Sequence, residues 1–417
     1  MILGVTAVGT TLFSIIVFLI IILLLVAILL LARDKLSPKG DITLHINDRD
    51  LVVSPGSNLL TTLSGNEIYL PSACGGGGTC GMCRCQVVEG GGSILPTETG
   101  FFTRKEQQNH WRLGCQVKIR EPLTIILPES VMGIKKWECE VVSNKNVATF
   151  IKEFVVRLPD GEELDFLPGG YIQIDVPHYE SSFKDFSIEE IYREEWEKFK
   201  MWDLGIKNNT ETFRAYSMAN YPAEKNLIKL NIRIATPPWD NVKKQFMNVP
   251  PGICSSYLFS RKPGDKVMIS GPYGEFHIKN TNSEMVYIGG GAGMAPLRSH
   301  IFHLFNTLKT GRKVTYWYGA RSLKEVFYED EFRAIEKKFP NFTFNLALSE
   351  PLPEDNWTGL TGFIHKVLLD NYLSKHDEPE DIEYYFCGPP VMNNAVIKML
   401  DCLGVPAENI AFDDFGI

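Results

Sequence analysis

The sequence has no excess of positive charge. Acidic residues outnumber basic ones 50 to 42, a formal charge of −8, which excludes phosphate-backbone binding as a main activity. Paired, evenly spread cysteines are also missing. There are nine, an odd number, and four fall between Cys74 and Cys85, so this is not a secreted disulfide framework. A chain of 417 residues buries sizeable cores without cross-links. No internal repeat and no low-complexity segment occurs. Apolar and charged contents of 44% and 22% are ordinary for a globular protein, and at about 150 residues per domain the length predicts two or three domains.

One further absence is local. Met1 to Ala32 contains no charged residue, and Ile15 to Leu31 is nearly pure Ile, Leu, Val and Phe. About 20 apolar residues span a bilayer, so the run is long enough to cross. A signal peptide needs a basic start, a shorter apolar region and a small-residue cleavage site, and none is present. Arg33, Lys35 and Lys39 follow at once, with no Lys or Arg before them, which places everything after Arg33 in the cytoplasm. No second run of this length follows. The reading is a single transmembrane anchor, 1–32, a short linker, 33–40, and a soluble body.

From Asp41, Ile42–Ile46 and Asp50–Val53 read as strands, followed by a glycine- and cysteine-rich loop and strands at Cys85–Val88, Cys115–Ile119 and Leu123–Leu127. This predicts a small β-rich domain, 41–133. Short strands then recur at Trp137–Ser143, Ile151–Leu158, Tyr171–Val176, Ile228–Ile234 and Lys266–Ser270, punctuated by Gly and Pro. They predict an antiparallel β-barrel over 134–280. Residues 178–212 look inserted into it, and Ile188–Phe199 reads as an amphipathic helix packed on the barrel, with a partner-docking role as the alternative. From 281 to 417 strands alternate with helices: strand Met285–Ile288, helix Ala295–Leu308, strand Lys313–Tyr318, helix Tyr328–Phe339, strand Phe342–Leu348, helix Ile364–Leu373, strand Glu383–Cys387 and helix Val391–Leu403. That is βαβ rhythm and predicts a parallel sheet wrapped by helices.

Cys74, Cys80 and Cys83 have C-x5-C-x2-C spacing, and Cys115 lies 32 positions beyond Cys83. Four thiolates, three on one loop, suit a binuclear iron–sulfur cluster, with one residue more than the plant-type C-x4-C-x2-C. Glycines let the loop curl around sulfur and bring N–H groups to it. Structural zinc would need a second C-x2-C, which is absent. A thioredoxin-like pair should open a helix rather than sit in a glycine loop. A Rieske-type site needs two histidines, and no Cys-x-His occurs. Cys85 could replace a ligand, but strand alternation makes it more simply a small buried side chain.

In the barrel region lies Arg214-Ala-Tyr216-Ser217. Downstream, Gly252-Ile-Cys254-Ser255-Ser256 reads as a loop opening a helix, whose free N–H groups favour an anion such as pyrophosphate or form an ordinary cap. Strand Met285–Ile288 runs into Gly289-Gly-Gly291-Ala-Gly293-Met-Ala-Pro296, a G-x-G-x-x-P turn with proline where the dinucleotide fingerprint has Gly or Ala. No acidic residue stands clearly about 20 positions on to hold a ribose hydroxyl. Arg321 hints instead at a ribose phosphate, so residue chemistry leaves NADH and NADPH open. Cys387-Gly-Pro-Pro390 ends a strand, where open α/β sheets bind ligands; inert burial of Cys387 is the alternative. His300 and His303, three apart on a helix, serve packing and surface better than a metal.

In this order these motifs resemble those of the F subunits of bacterial sodium-translocating NADH:quinone oxidoreductases, over essentially the whole chain, including the longer cysteine loop and the acidic insertion. The last two domains look like the ferredoxin–NADP reductase superfamily. The resemblance implies a multidomain fold: transmembrane helix, β-grasp-like 2Fe-2S ferredoxin domain, antiparallel β-barrel FAD domain and α/β parallel-sheet nicotinamide-binding domain. It implies that Cys74, Cys80, Cys83 and Cys115 hold a 2Fe-2S cluster. Arg214 would pair with the FAD pyrophosphate, Tyr216 stack on the isoalloxazine and Ser217 bond near its N5. Gly252, Cys254, Ser255 and Ser256 would cradle the pyrophosphate, and Phe415 would cover the flavin, with the end of a core strand as the alternative. Gly291, Gly293 and Pro296 would line the NADH site with Cys387 facing the nicotinamide, making Ser217 and Cys387 the residues closest to the chemistry. Membrane subunits of the complex, and quinone indirectly, would receive the electrons, at the cytoplasmic side of the bacterial inner membrane.

NADH gives two electrons as hydride and an iron–sulfur cluster takes one at a time, so a flavin belongs between them, and positioning rather than acid–base chemistry is the protein's work. Two other readings use the same motifs. Soluble reductase components of bacterial oxygenases share the ferredoxin–FAD–NAD order but need no apolar start. A membrane-tethered redox carrier would not need the flavin and nicotinamide motifs to be intact.

Overall fold

The computed structural model describes residues 2–36, 40–240 and 242–414. Its internal contacts divide it into two units, one of Met1–Leu70 with Cys83–Met132, the other of Pro71–Met82 with Gly133–Ile417.

In the first unit, a helix runs over Ile2–Leu36. It contains a 20-residue apolar stretch, Phe13–Ala32, none of it buried. At 1.5 Å per residue that stretch is about 30 Å long, the thickness of a hydrocarbon core. The helix continues through Arg33–Leu36, so the expected linker is shorter than read. Lys and Arg are good helix formers, and the charge change does not end the helix. The rest of the unit is a five-stranded sheet, in the order Arg49–Val53, Ile42–Ile46, Leu123–Ile126, Arg84–Glu89, Trp111–Leu113. Ile42–Ile46 and Leu123–Ile126 are parallel and every other pair is antiparallel. The short helix Leu59–Ser64, capped by Asn58, buries Leu59, Leu60 and Leu63. This is a β-grasp arrangement. The strand expected at Cys115–Ile119 lies earlier, at Trp111–Leu113. Cys115 sits in the turn after it, where Gln116 N–H bonds Leu113 O.

The second unit carries an antiparallel six-stranded sheet in the order Thr212–Ser217, Tyr171–Val176, Lys266–Tyr273, Lys135–Ala148, Ile151–Arg157, Leu227–Arg233. A bridge between Met218 and Leu230 joins its edges, so the sheet closes into a barrel. Period-two alternation fills the interior: Trp137, Cys139 and Val141 from one strand meet Ile228, Leu230 and Ile232 from another. The insertion is part of the same core. Phe183, Phe186, Ile188 and Trp196 join it, and Trp196 Nε1 donates to Thr149 O at 2.7 Å. The buried Lys152 ties it down, with Nζ donating to Ser187 O at 2.5 Å and Asn144 O at 3.2 Å. The amphipathic helix is Glu190–Lys198.

The chain then builds a parallel sheet in the order Leu360–Thr361, Phe342–Leu348, Val314–Ala320, Met285–Gly290, Glu383–Cys387, Ile410–Asp413. Side chains alternate between two cores. Tyr287 packs with Leu297 and Ile301, whereas Val286 and Ile288 pack with Ile364, Leu368, Val396 and Leu400. The strand order reverses between Met285–Gly290 and Glu383–Cys387, the switch point at which such sheets bind ligands. The α-helix expected to Leu308 ends at Phe302 and loosens into a π-helical turn over His303–Thr307.

Candidate functional site

Both predicted loops of the parallel sheet arrive at the switch point. Gly290 leaves the Met285–Gly290 strand extended, Gly291 turns with φ +57°, and the helix Met294–Phe302 starts at once. Pro296 lies in its first turn and is buried. Gly293 has no space for a side chain, since a Cβ there would stand 2.0 Å from Cys387 O. The glycine turn and the Cys387-Gly-Pro-Pro390 loop therefore touch backbone to backbone.

A core strand runs over Ile410–Asp413 near the C-terminal end. It brings Asp413 beside Cys387 in register, and Ser217 Oγ donates to Asp413 Oδ2 at 2.7 Å. Ser217, Asp413, Cys387 and Gly293 thus form one chain of contacts from the barrel to the glycine turn. Cys387 is fully buried and burial pushes its thiol well up, so it is neutral and not a nucleophile. Burial also pushes the Asp413 carboxyl up, to about 6, with Asp414 adding to the shift and the Ser217 hydrogen bond opposing it. Phe415 lies outside the described residues.

On the barrel, Tyr216 interacts with the buried Cys254 thiol, which brings the Arg214–Ser217 strand against the Gly252–Ser256 loop. That loop opens the helix Ile253–Ser260. A Cβ at Gly252 would lie 2.6 Å from Ala235 Cβ, so the approach requires glycine. Ser256 Oγ is buried without a partner. An orphan hydroxyl beside free helix N–H groups fits an anion such as a pyrophosphate. The half-buried Arg214 donates from Nη1 to Thr212 Oγ1 and Phe213 O.

A cavity of about 600 Å³ opens beside the turn, lined among others by Gly291, Arg321, Glu325, Phe363 and His365. Gly293, Pro296 and Cys387, expected at the dinucleotide site, are not among its lining residues. Glu325 is an acidic residue of this lining that the fingerprint spacing does not point to, since it lies 34 positions after Gly291 rather than about 20. It is fixed by Thr149 Oγ1, which donates at 2.6 Å, and by Arg321, whose Nη2 donates at 3.0 Å. Arg321 is thereby ion-paired, and a second cation, Arg233, lines the same cavity. A signal was present in sequence, since Arg321 and Glu325 have i,i+4 spacing, but not that both face one cavity.

In the cysteine loop, Gly75, Gly76, Gly78 and Gly81 have φ between +65° and +88°, the left-handed region that glycine enters freely. Ser72 Oγ accepts from Gly76 N–H at 3.1 Å. Cys74 and Cys80 are brought to 3.3 Å between sulfurs. Two thiolates on one tetrahedral ion with bonds of about 2.3 Å stand about 3.8 Å apart, so the pair fits one iron. The shared hydrogen bond pulls the Cys74 thiol down and holds Cys80 up. Cys83 and Cys115 are buried in the other unit, where Gly114 N–H bonds Cys83 O at 2.7 Å. Among the described residues no three His, Cys, Asp or Glu side chains gather to hold one ion; a binuclear cluster needs two thiolates per iron. Cys85 is fully buried, its sulfur directed to Arg112 O at 3.9 Å. His300 is a packing residue, with Nε2 2.9 Å from Phe276 O.

Three family models match the chain: a 2Fe-2S iron-sulfur cluster binding domain over 42–120, an oxidoreductase FAD-binding domain over 199–278 and an oxidoreductase NAD-binding domain over 287–398. The chain is 56% identical over 387 residues to the F subunit of the Na(+)-translocating NADH-quinone reductase of Pseudomonas aeruginosa, covering 93% of this chain and 94% of that one. It is 55% identical over 388 residues to the protein of the same name from Psychrobacter cryohalolentis, covering 92% and 93%. Among solved structures it is similar to the Amycolatopsis cytochrome P450 reductase GcoB, with TM-score 0.63 and 21% identity over 90% of this chain and 98% of that one. The ferredoxin reductase in carbazole 1,9a-dioxygenase matches with TM-score 0.57 and 24% identity over the same shares. These two likenesses concern the fold.

Proposed function

Because the chain belongs to the family of the F subunit of the Na(+)-translocating NADH-quinone reductase, we propose that it is the electron-input component of such a complex, oxidising NADH and passing the electrons to membrane partners. It is an oxidoreductase with 2Fe-2S, FAD and NAD domains. When bound, FAD accepts hydride from NADH and yields its electrons singly to a 2Fe-2S cluster. The observation that carries the reading is the contact chain Ser217–Asp413–Cys387–Gly293. It joins the end of the flavin-type strand to the end of the dinucleotide turn.

Within this reading each residue has a limited task. Ser217 presents a hydroxyl to the flavin edge, oriented by its hydrogen bond to Asp413. Cys387, neutral and buried, supports the nicotinamide ring sterically without titrating. Tyr216 supplies the stacking face. Arg214, Gly252, Cys254, Ser255 and Ser256 form the pyrophosphate site: charge from the first, close approach at Gly252, helix N–H groups from Cys254 and Ser255, and the unpartnered hydroxyl of Ser256. Gly291, Gly293 and Pro296 let the dinucleotide approach the backbone. Glu325 favours a free ribose diol, while Arg233 and Arg321 line the same cavity, so the choice of NADH rests on the family. Cys74, Cys80, Cys83 and Cys115 supply the four thiolates.

The N-terminal helix fits a membrane anchor. The basic residues after Ala32 support a cytoplasmic body on the bacterial inner membrane. Phe13–Ala32 contains no ionisable side chain, so sodium movement belongs to partner subunits.

The test is cofactor analysis of the full chain purified in detergent. One FAD and two irons per chain are expected. Replacing any one of Cys74, Cys80, Cys83 or Cys115 by Ser should remove the cluster's visible absorbance and leave FAD bound and bleachable by NADH. A cluster that survives all four substitutions contradicts the ligand assignment. Protease added to inside-out vesicles should release the body; release from right-side-out vesicles contradicts the orientation.

A further inference from the structure

The helix that opens on the glycine turn carries a cation on its buried face. Arg298 is 2% exposed, and all five of its N–H donors are used. Nη1 donates to Ala219 O at 2.7 Å and Glu224 Oε2 at 3.0 Å. Nη2 donates to Glu224 Oε1 at 3.2 Å and Glu331 Oε2 at 2.7 Å, and Nε donates to Glu331 Oε2 at 3.0 Å. The guanidinium lies over the Phe302 ring at 4.1 Å and over the Tyr328 ring at 5.2 Å. The Tyr328 hydroxyl in turn donates to Glu153 at 2.6 Å and accepts from Asn231 at 2.9 Å. Ala219, Glu224, Glu153 and Asn231 belong to the barrel region; Glu331, Phe302 and Tyr328 belong to the α/β region.

What Arg298 grips matters. Ala219 is two residues past Ser217, and its own N–H is bonded to Lys229 O at 2.7 Å where the barrel closes. At the other end Arg298 lies two residues past Pro296 and five past Gly293, which abuts Cys387. One planar group therefore connects the strand end bearing Ser217 to the helix bearing the dinucleotide turn.

We propose that Arg298 is a positioning residue for hydride transfer, setting the separation of the flavin-side and nicotinamide-side residues without touching either cofactor. The inference rests on the reading that Ser217 faces the flavin and the glycine turn holds the nicotinamide. Hydride transfer needs reacting atoms about 3–3.5 Å apart, and a misplacement of about 1 Å costs roughly a hundredfold. A lysine keeps the charge but offers its three donors from one point, and cannot hold a carbonyl and two carboxylates in this fork.

The experiment uses the full chain, loaded with FAD and cluster, as wild type, Arg298→Lys, Arg298→Gln and Glu224→Gln. NADH is mixed in anaerobically, and the limiting rate of flavin bleaching and the NADH affinity are read. NAD⁺ is separately added to dithionite-reduced protein, and the long-wavelength charge-transfer absorbance is read without turnover. For both Arg298 variants the rate should fall roughly ten- to a hundredfold, charge-transfer absorbance should drop by half or more, and NADH affinity and FAD content should hold. Glu224→Gln should move both in the same direction by less. Wild-type rate and absorbance in Arg298→Lys or Glu224→Gln overturn the proposal, as does a rate loss that only tracks lost FAD. If Arg298→Gln does not fold, the other two variants decide. A wild type whose flavin NADH does not bleach sinks the hydride reading itself, a different result from variants that react as the wild type does.

Discussion

Ser217 on the barrel and Asp413 on the last strand of the parallel sheet are joined by a hydrogen bond of 2.7 Å, and Asp413 pairs in register with Cys387. The pair couples a carboxyl group of the parallel sheet to a hydroxyl at the end of a barrel strand. Its folded pKa of about 6 lies above the ordinary carboxylate value because of burial. The neutral acid is therefore favoured in the folded state, and that contribution is present below about pH 4 and lost as pH rises through about 6. At neutral pH the ionised group costs on the order of 3 kcal/mol. Asp413→Asn should raise the melting temperature of this unit at pH 7.5 and flatten its change between pH 4.5 and 6.5. An unchanged pH profile in thermal melts contradicts the assignment.

Glu325 lines the cavity beside the turn and pairs with Arg321. Glu325→Gln removes the charge that opposes a 2′-phosphate and frees Arg321 to bind one. The kcat/KM for NADPH should rise about tenfold, about 1.4 kcal/mol, while that for NADH falls. Steady-state assays with both nucleotides check this; an unchanged ratio sinks it.

The buried pair Glu98–Arg112 secures the segment leading to Cys115. Arg112 Nη2 donates to Glu98 Oε2 at 2.8 Å, Nη1 donates to Gly91 O and Gly92 O, and Leu113 N–H donates to Glu98 Oε1 at 2.8 Å. Removing one partner strands the other charge and should cost about 3–5 kcal/mol. Glu98→Gln and Arg112→Met should each melt earlier and lose iron on dialysis. The double variant should melt later than either, because no lone charge remains. A double variant with the summed loss contradicts the account.

Gly293→Ala would push a Cβ into Cys387 O. The turn must shift, so NADH binding should weaken at least tenfold while FAD and iron contents stay the same. Equilibrium titration with NADH against cofactor content separates the two. Normal NADH affinity would mean that the turn does not need this close approach.

Much of this was legible in the residues. The period-two strands of the barrel, the βαβ rhythm and the glycine-rich turns read correctly because local pattern and tertiary role coincide. The failures have local causes. Cys115–Ile119 looks like a strand because Val117 and Ile119 alternate and are buried, yet the segment starts in a turn and, among the described residues, pairs only through a single bridge from Lys118 to Asn58. Ile410–Asp413 is four residues long, too short for periodicity to fix its bounds, although it brings Asp413 to Ser217. Glu325 escaped because its place in the cavity depends on Thr149 of the barrel, a contact 176 residues away. Arg298 carries no signal in sequence, because its acceptors on Ala219, Glu224 and Glu331 come from separate segments.

The central claim is that one chain carries electrons from NADH through a flavin to a binuclear cluster. Anaerobic NADH titration of the detergent-purified protein, followed by flavin absorbance and by the paramagnetic signal of a reduced 2Fe-2S cluster, tests it most directly. Bleaching of the flavin together with growth of that signal is the predicted result. A fully loaded protein in which NADH leaves both unchanged, or bleaches the flavin while the cluster stays oxidised, contradicts it.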